Sequence, residues 1–583
     1  MLSRRSLAAL VCACVTMVCG WSAAAAGAAS WSATKTAAVN LTNATDNGAL
    51  AASTRVPVAI SLRERNTSAL DAFITELDTQ GSAAYGHPLT PAQFTAGFAP
   101  TAAQANAVAT YLKSQGFSDV NVTSNRLFVT ADGSATQAEQ AFDVNLDRYQ
   151  QAGHNVYANT TAARVPQSIA ANVASVLGLN DVSDFSFPLA SKPLTSKPAA
   201  SNCELDPLSG GEPYGLCEYT PSGFRSAYDT GALTGSNTTI AIMAEGDLSG
   251  VVQDLRTAES AFGEPQVPYT IEQVGSSSTD TSGADEWDLD TQYSTGMASD
   301  VSQLYIYDVG SLDDSDIGLE FNQWASQDLA KAASASFGEC EALPEQDGLM
   351  AANDEIMAEA AAQGQTMFAS SGDTGGQDCA VESTNGVPES GLPEVNYPCS
   401  SAYIVCVGGT SLFTNSDGSY DQELGWYSGG GGISTFEKAP AWQSGIVPLS
   451  ATGYRGVPDI AMDGDANTGA DVYVSGSPEG VGGTSLSSPL ALGAWADIES
   501  ADGNALGFAS PLLYGLYPSG TSLGGVPVPP TGQLGSSSED PSYPLHDVDL
   551  GTNVAYPATF GWDYVTGLGS FDVAKTASAL AGK

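Results

Sequence analysis

From residue 239 onward, short apolar runs alternate with helix-length stretches, and this alternation limits the fold before any motif is considered. Thr239-Ile240-Ala241-Ile242-Met243 precedes a helix ending near Phe262. Leu304 to Tyr307 precedes a helical stretch from Phe321 to Leu329, and Ala333 to Phe337 precedes another from Asn353 to Gln363. Thr366 to Ser370 is a further strand. Strand–helix alternation at this spacing predicts an α/β domain with a mainly parallel sheet, in which functional side chains gather at strand ends.

The chain before this domain differs. Arg4 and Arg5 precede an apolar run and a small-residue stretch from Ser22 to Ala28, which predicts an export signal over residues 1–28. The run is too short for a stable membrane anchor, and no other window is apolar enough to span. Residues 29–185 read as a compact α+β domain. Thr90 caps a helix with Pro91 at its first position, helical periodicity continues from Thr101 to Leu112, and Gly116 closes it. Val120 to Ala131 alternates as two strands, Thr136 to Phe142 is helical, and Val144 to Tyr149 returns to strand. Residues 186–202 hold three prolines and no periodic pattern, the composition of a linker open to proteolysis.

Charge separates the same regions. Residues 1–200 carry 12 Lys+Arg and 12 Asp+Glu, whereas residues 201–583 carry 7 and 53, so the net charge of −46 belongs to the second part. With no basic patch, nucleic acid is excluded as a partner. The 22 Tyr, 18 Phe and 8 Trp argue for a packed globule rather than an acidic tail. So few bases suits work in acid, where protonated carboxyls leave little positive charge to repel itself. That the near-neutral first 200 residues carry most of the bases also suggests pairing of the N-terminal domain with the acidic domain, loosening in acid. Solubility alone would explain the same split.

Six cysteines follow residue 200, an even number that suggests three disulfides in an exported chain. Pairing near neighbours gives Cys203–Cys217, Cys340–Cys379 and Cys399–Cys406.

The candidate nucleophile is Ser485, in Gly482-Gly483-Thr484-Ser485-Leu486-Ser487-Ser488-Pro489. The glycines allow a sharp turn and close approach, and the helical pattern that follows places Ser485 where N–H groups and the dipole favour negative charge. A histidine base is scarce: His87 and His154 precede the linker, leaving His546. Carboxyls are the alternative. Glu286 and Asp290, four apart in Asp285-Glu286-Trp287-Asp288-Leu289-Asp290, share a helical face, either as a solvated acidic first turn or as a proton-sharing acid/base pair. Asp373 leaves an apolar strand in Ser370-Ser371-Gly372-Asp373-Thr374-Gly375-Gly376. It is either an Asx-turn residue or, protonated, a hydrogen-bond donor to an oxyanion.

The Glu-x-x-x-Asp helix, the Ser-Gly-Asp turn and Gly-Thr-Ser-x-Ser-x-Pro stand in the order of the sedolisins, serine-carboxyl peptidases with a subtilisin-like fold, which this chain resembles. Ser336-Phe337-Gly338-Glu339-Cys340-Glu341 resembles the substrate-lining strand of that family, and Gly429 to Ser434, Pro440 to Gln443 and Arg455 to Ile460 resemble further family blocks. Residues 29–185 resemble the pro-kumamolisin activation domain. The resemblance implies a subtilisin-like catalytic domain over 203–583, with Ser485 as nucleophile, Glu286 as base, Asp290 orienting Glu286 and Asp373 stabilising the oxyanion. It also implies one structural Ca2+ held by the side chains of Asp547 and Asp563 and the carbonyls of Val548, Thr559 and Gly561. Thr559 stands where relatives often carry glycine, a change a carbonyl ligand tolerates if φ is negative there. Asp463-x-Asp465-x-Asn467-x-Gly469 lacks the spacing of a calcium loop and reads as structural.

The expectation is a secreted, monomeric, acid-acting endopeptidase made as a self-processing zymogen, inhibited by its own prodomain and acting on peptide substrates. A tripeptidyl exopeptidase, a catalytically silent binding relative and a histidine-dependent hydrolase using His546 are the alternatives.

Overall fold

A computed structural model describes residues 30–182, 217–376, 395–517 and 543–582, apart from 40, 42–43, 80, 152 and 449–452, with a few intervening residues that include Cys203. The predicted parallel sheet is its centre. Its strands, in chain order, are β1 (Thr239–Glu245), β2 (Tyr269–Gln273), β3 (Gln303–Val309), β4 (Ala332–Ala335), β5 (Thr366–Ser370), β6 (Ile404–Thr414), β7 (Tyr420–Gly425) and β8 (Ile460–Asp463). They lie in the order β2-β3-β1-β4-β5-β6-β7, with β8 also pairing β6. All pairs are parallel except β6–β7. Strands β4, β5 and β6 are buried along their whole length, as expected of a parallel sheet covered on both faces.

Two buried helices carry the candidate site, α1 (Ala284–Ala298) and α2 (Thr484–Ala501). Gly493 lets them approach, since a Cβ there would meet Ser294 O at 2.6 Å and Met297 Cβ at 2.7 Å. Two expected helices begin earlier than their apolar patterns, at Asp314 and Leu349. An acidic first turn, favourable with the helix dipole, extends the former. The expected continuous stretch from Thr90 to Leu112 is two helices, Pro91–Gly97 and Ala102–Ser114, because Thr101 and Gln104 form a second capping box.

The N-terminal domain contains a four-stranded antiparallel sheet, ordered Ser118–Val122, Phe128–Ser134, Arg55–Leu62 and Val173–Leu177. Along Arg55–Leu62, Val56, Val58, Ile60 and Leu62 enter the domain's own core. Ala59, on the opposite face, joins Phe128 and Leu177 in the core continuous with the catalytic domain. Cys203–Cys217 and Cys399–Cys406 are disulfide-bonded, as expected. Cys340 is also in a disulfide, while Cys379, its expected partner, lies outside the described residues.

Among the described residues, the hydrogen bonds across the interface are not the expected base–carboxylate pairs, although Arg63 acts on Glu355 and Arg55 on Asp316 across it. Arg55 and Arg164 pair with Asp132 and Asp143 of their own domain. Arg65, Arg126 and Arg148 donate to carbonyls of their own domain. Across the interface, Glu64 N donates to Glu355 Oε2 at 3.0 Å, Asn125 Nδ2 to Glu359 Oε2 at 2.6 Å, and Tyr403 OH to Asp71 Oδ1 at 3.2 Å. Burial pushes Glu355 and Glu359 up to about 8, with Arg63 and Asn125 only partly opposing it. Burial also raises Glu64 well above its usual value, and Glu355, Glu359 and Asp71 add to the rise.

To the extent that the prodomain buries them, undocking returns these carboxyls toward the ordinary glutamate range near about 4.3. The docked state thus holds more protons between that value and 8, so docking is strongest in acid and weakens as pH rises. We expect a Ser485→Ala chain nicked within 186–202 to release its N-terminal domain on size-exclusion chromatography more readily at pH 8 than at pH 4. Preferential release at pH 4 would contradict this sign.

Candidate active site

Gly483, with φ 117° and ψ 161°, precedes α2 in a backbone region open essentially to glycine alone. This sharp entry puts Thr484 and Ser485 in the first turn of a buried helix. Ser485 is 0 % exposed, and its Oγ donates to Ser336 O at 3.3 Å. Pro489 lies within α2 and has no N–H to give the carbonyl of Ser485, four residues back. That carbonyl instead lies 3.4 Å from the Ser336 hydroxyl.

Glu286 and Asp290 are in the first two turns of α1, 1 % and 0 % exposed, which rules out the solvated acidic turn. Asp290 Oδ1 accepts from Ser336 Oγ at 2.6 Å. Asp290 Oδ2 and both Glu286 oxygens are buried without a hydrogen-bond partner. Burial pushes Glu286 well above the carboxylate range, and Asp290 adds to the rise. The neighbouring Ser485 hydroxyl opposes it, while Asp373 and Asp285 contribute further. Asp290 is raised by burial and held back by the Ser336 hydroxyl. Two such carboxyls titrate as a unit and share protons.

Asp373 follows β5 and Gly372, whose φ is 106°. Its Oδ1 accepts from Thr484 N at 2.8 Å and from Thr484 Oγ1 at 3.0 Å, and Thr484 Oγ1 accepts from Gly372 N at 3.0 Å. Thr484 therefore clamps the Asp373 turn to the residue before Ser485. Trp287 Nε1 donates to Glu245 O at 2.8 Å, fixing the start of α1 against the end of β1. All four residues expected on sequence grounds thus belong to one cluster, in which Asp373 and Asp290 both act on Glu286. Ser336 and Thr484, quoted only as parts of motifs, turn out to be their hydrogen-bond partners. A signal was available for Ser336: period-two alternation puts Ser334 on the same side, and Ser334 Oγ meets Ser488 Oγ on α2 at 2.7 Å.

The ring of Phe185 packs edge-on against Phe337, with centroids 5.7 Å apart. Ala190–Lys192 pairs antiparallel with Ser477–Gly482, the strand that leads into the Ser485 turn.

Residues 42–182 match the pro-kumamolisin activation domain, and residues 273–511 match the subtilase family. Over 91% of its length the chain is 37% identical to Sedolisin of Pseudomonas sp. (strain 101), covering 88% of that protein. The chain belongs to the sedolisin family. It is also 34% identical to Xanthomonalisin of Xanthomonas sp. (strain T-22), over 90% of this chain and 66% of that protein. Identity to Tripeptidyl-peptidase 1 of Rattus norvegicus is 26%, over 88% of this chain and 89% of that one. The structure of Pseudomonas sedolisin, a serine-carboxyl proteinase complexed with two molecules of pseudo-iodotyrostatin, matches with a TM-score of 0.56 at 37% identity. That match covers 62% of this chain and 98% of that chain. As a sedolisin, the chain is a serine-type peptidase with a subtilisin-like catalytic domain and an activation prodomain.

The calcium ligands expected by resemblance lie in one C-terminal loop. Gly561 N donates to Asp547 Oδ1 at 3.2 Å and Oδ2 at 3.1 Å, and Thr559 N donates to Asp563 Oδ2 at 2.7 Å. The Thr566 hydroxyl joins Val548 O, at 3.2 Å, to Asp563 Oδ1, at 3.3 Å. Thr559 is absent from the non-glycine residues with positive φ, so threonine strains nothing there. Two carboxylates and three carbonyls are the hard oxygen donors calcium takes, and this set fits one ion. The Asp463 loop is structural as read: Asp463 Oδ1 accepts from Leu412 N and Thr468 Oγ1, and Asp465 Oδ1 from Asn467 N.

His546 is occupied elsewhere in this sedolisin, stacked 3.7 Å from the ring of Tyr420 in a strand paired with Ser570–Phe571. We expect His546→Ala to keep near-normal turnover per folded molecule. Loss of the stacked pair should lower unfolding stability by about 1–2 kcal/mol in denaturant titration. Loss of turnover in folded protein would bring the histidine into the mechanism.

Proposed function

We propose that the chain is a secreted, acid-acting serine-carboxyl endopeptidase, made as a zymogen that processes itself within or near residues 186–202. The observation that carries this reading is the juxtaposition of Ser485 with a buried carboxyl pair and with Asp373 on the Thr484 amide. Secretion rests on the leader-like sequence of residues 1–28, with the six later cysteines as support. Among the described residues, no helix is long and apolar enough to cross a membrane.

In the proposed reaction Glu286 accepts the Ser485 proton as Oγ attacks the scissile carbonyl, with Asp290 sharing a proton with Glu286 and orienting it. Asp373 receives two hydrogen bonds on Oδ1, so the hydroxyl it needs as a donor sits on Oδ2, where it can stabilise the oxyanion. Glu286 then returns the proton to the leaving amine, and water hydrolyses the acyl-enzyme. The pair must keep one proton and Asp373 must keep its own, so the machinery works at acid pH and fails as these protons leave. Acid thus switches on catalysis rather than loosening the prodomain, since the interface carboxyls shift in the direction that tightens it. The contact of Phe185 with Phe337 and the pairing of Ala190–Lys192 with the strand entering the Ser485 turn support a prodomain that inhibits and is cut nearby.

Asp547, Asp563 and the carbonyls of Val548, Thr559 and Gly561 would hold one calcium ion. When bound, the ion supplies charge that ties the C-terminal loop together. The side chains themselves already join residues 547–548 to residues 559–566.

Glu286→Gln should abolish turnover, and wild-type activity should fall steeply between pH 5 and 8; a flat profile would sink the mechanism. Sequencing peptide products and the new N-terminus after incubation at pH 3 to 7 separates endo- from tripeptidyl cleavage and locates processing. Chelation should lower the melting temperature by about 4–5 °C, reversibly with added Ca2+. Asp563→Ala should remove that response, and a melting temperature indifferent to chelator would exclude the ion.

A further inference from the structure

The backbone and side chain of Ser336 face both halves of the candidate machinery. Its hydroxyl donates to Asp290 Oδ1 at 2.6 Å, and its carbonyl accepts from Ser485 Oγ at 3.3 Å. Its hydroxyl also lies 3.4 Å from the carbonyl of Ser485, left without a helix donor by Pro489. Ser336 is 0 % exposed and follows β4 at the centre of the sheet, so this geometry is held by the fold.

A hydroxyl has one proton to give, and Asp290 Oδ1, at 2.6 Å, is the nearer of the two acceptors of the Ser336 hydroxyl, the other being Ser485 O at 3.4 Å. Donation to Oδ1 favours that oxygen unprotonated and leaves the proton of Asp290 to Oδ2. That oxygen and both oxygens of Glu286 are buried with no other hydrogen-bond partner.

We propose that Ser336 is a positioning residue for the peptidase reaction: it fixes the tautomer of Asp290, assigning its proton to the oxygen available to Glu286. The inference rests on the reading of Ser485, Glu286 and Asp290 given above. In the bond changes it implies, the Ser485 O–H bond breaks and an O–H bond forms on Glu286. The Asp290 proton stays shared between Oδ2 and Glu286, and Ser336 keeps its own proton throughout. The Ser336 carbonyl also accepts from the resting Ser485 hydroxyl at 3.3 Å, so the same residue touches the group from which the transfer starts. Without the hydroxyl, Asp290 could carry its proton on either oxygen. The anionic form of the pair would also lose its donor, since a hydrogen bond to a charged form favours that form.

The test compares Ser336→Ala, Ser336→Cys and Ser336→Thr in the full-length, self-processed enzyme, with kcat and KM measured across pH 3–8. Alanine is expected to lower kcat by about 10- to 100-fold, the loss of one hydrogen bond to a charged group, with KM essentially unchanged. The alkaline limb of kcat/KM should move to higher pH because the ionised pair is less stabilised. Threonine, which keeps the hydroxyl, should restore the wild-type limb and most of kcat. Cysteine, close to serine in size but a weak donor, should reproduce the alanine effect and serves if alanine does not fold. Wild-type kcat and pH limb in the folded alanine or cysteine variant would overturn the proposal. So would a loss confined to KM, or a folded threonine variant that behaves like alanine. The two readings fail separately: activity in Glu286→Gln removes the base assignment, whereas a dead Glu286→Gln beside an unaffected Ser336→Ala removes only the role of Ser336.

Discussion

The carboxyl of Glu286 is buried beside that of Asp290, and the other charges acting on it, Asp373 and Asp285, are acidic as well. An isolated buried carboxylate is too costly to keep, so the group must hold or share a proton. The surrounding parts follow from that. Ser336 and Thr484 give their hydrogens to chosen oxygens of Asp290 and Asp373. These donors determine which oxygens are left to carry protons. Gly493 brings α1 against α2, and Gly483 turns the chain sharply into the helix. Hydroxyls and glycines do here what a cation or an imidazole does in other serine hydrolases.

The same solution recurs away from the site. Asp314 and Asp347 hydrogen-bond to each other in the core, as do Asp354 and Glu437, and burial raises all four. Asp497 is pushed by burial to about 9 and Glu499 to about 8. With 19 Lys+Arg against 65 Asp+Glu, cations are too few to neutralise such groups one for one. A fully buried cation is used at Arg455, whose Nη2 meets Asp459 Oδ2 at 2.6 Å while Tyr514 OH donates to Asp459 Oδ1 at 2.8 Å. Elsewhere protons take its place. Their contribution to stability is present in acid and lost as pH rises through the raised values.

Much of this was legible in the chain. Strand–helix alternation located β1, β3, β4 and β5, and the four-residue spacing of Glu286 and Asp290 put both carboxyls on one helix face. Asp373 could be placed because it leaves an apolar strand through a glycine. The ambiguity between a solvated acidic turn and a buried pair was not resolvable from spacing, because burial of α1 depends on α2, some two hundred residues later. The hydrogen bonds of the prodomain interface were not legible for a related reason. Net charge counts residues, but Arg55, Arg65, Arg126, Arg148 and Arg164 are spent on partners in their own domain. The hydrogen bonds across the interface join carboxyl, amide and phenol, while Arg63 and Arg55 act electrostatically on Glu355 and Asp316.

These features reverse the relation between acidity and activation that the charge split suggested. If prodomain bases held catalytic carboxylates, acid would dissolve the contact and free the enzyme. Glu355 and Glu359 are raised where they meet the prodomain, so in the proposed reading acid favours the closed zymogen at the moment the catalytic pair acquires its working proton. In the proposed reading, activation comes from cutting the chain within or near residues 186–202, and Ala190–Lys192 pairs with the strand that enters the Ser485 turn. On the proposed mechanism, a zymogen built this way needs no separate trigger to open it: protonation that holds the prodomain in place would also complete the machinery that cleaves its linker.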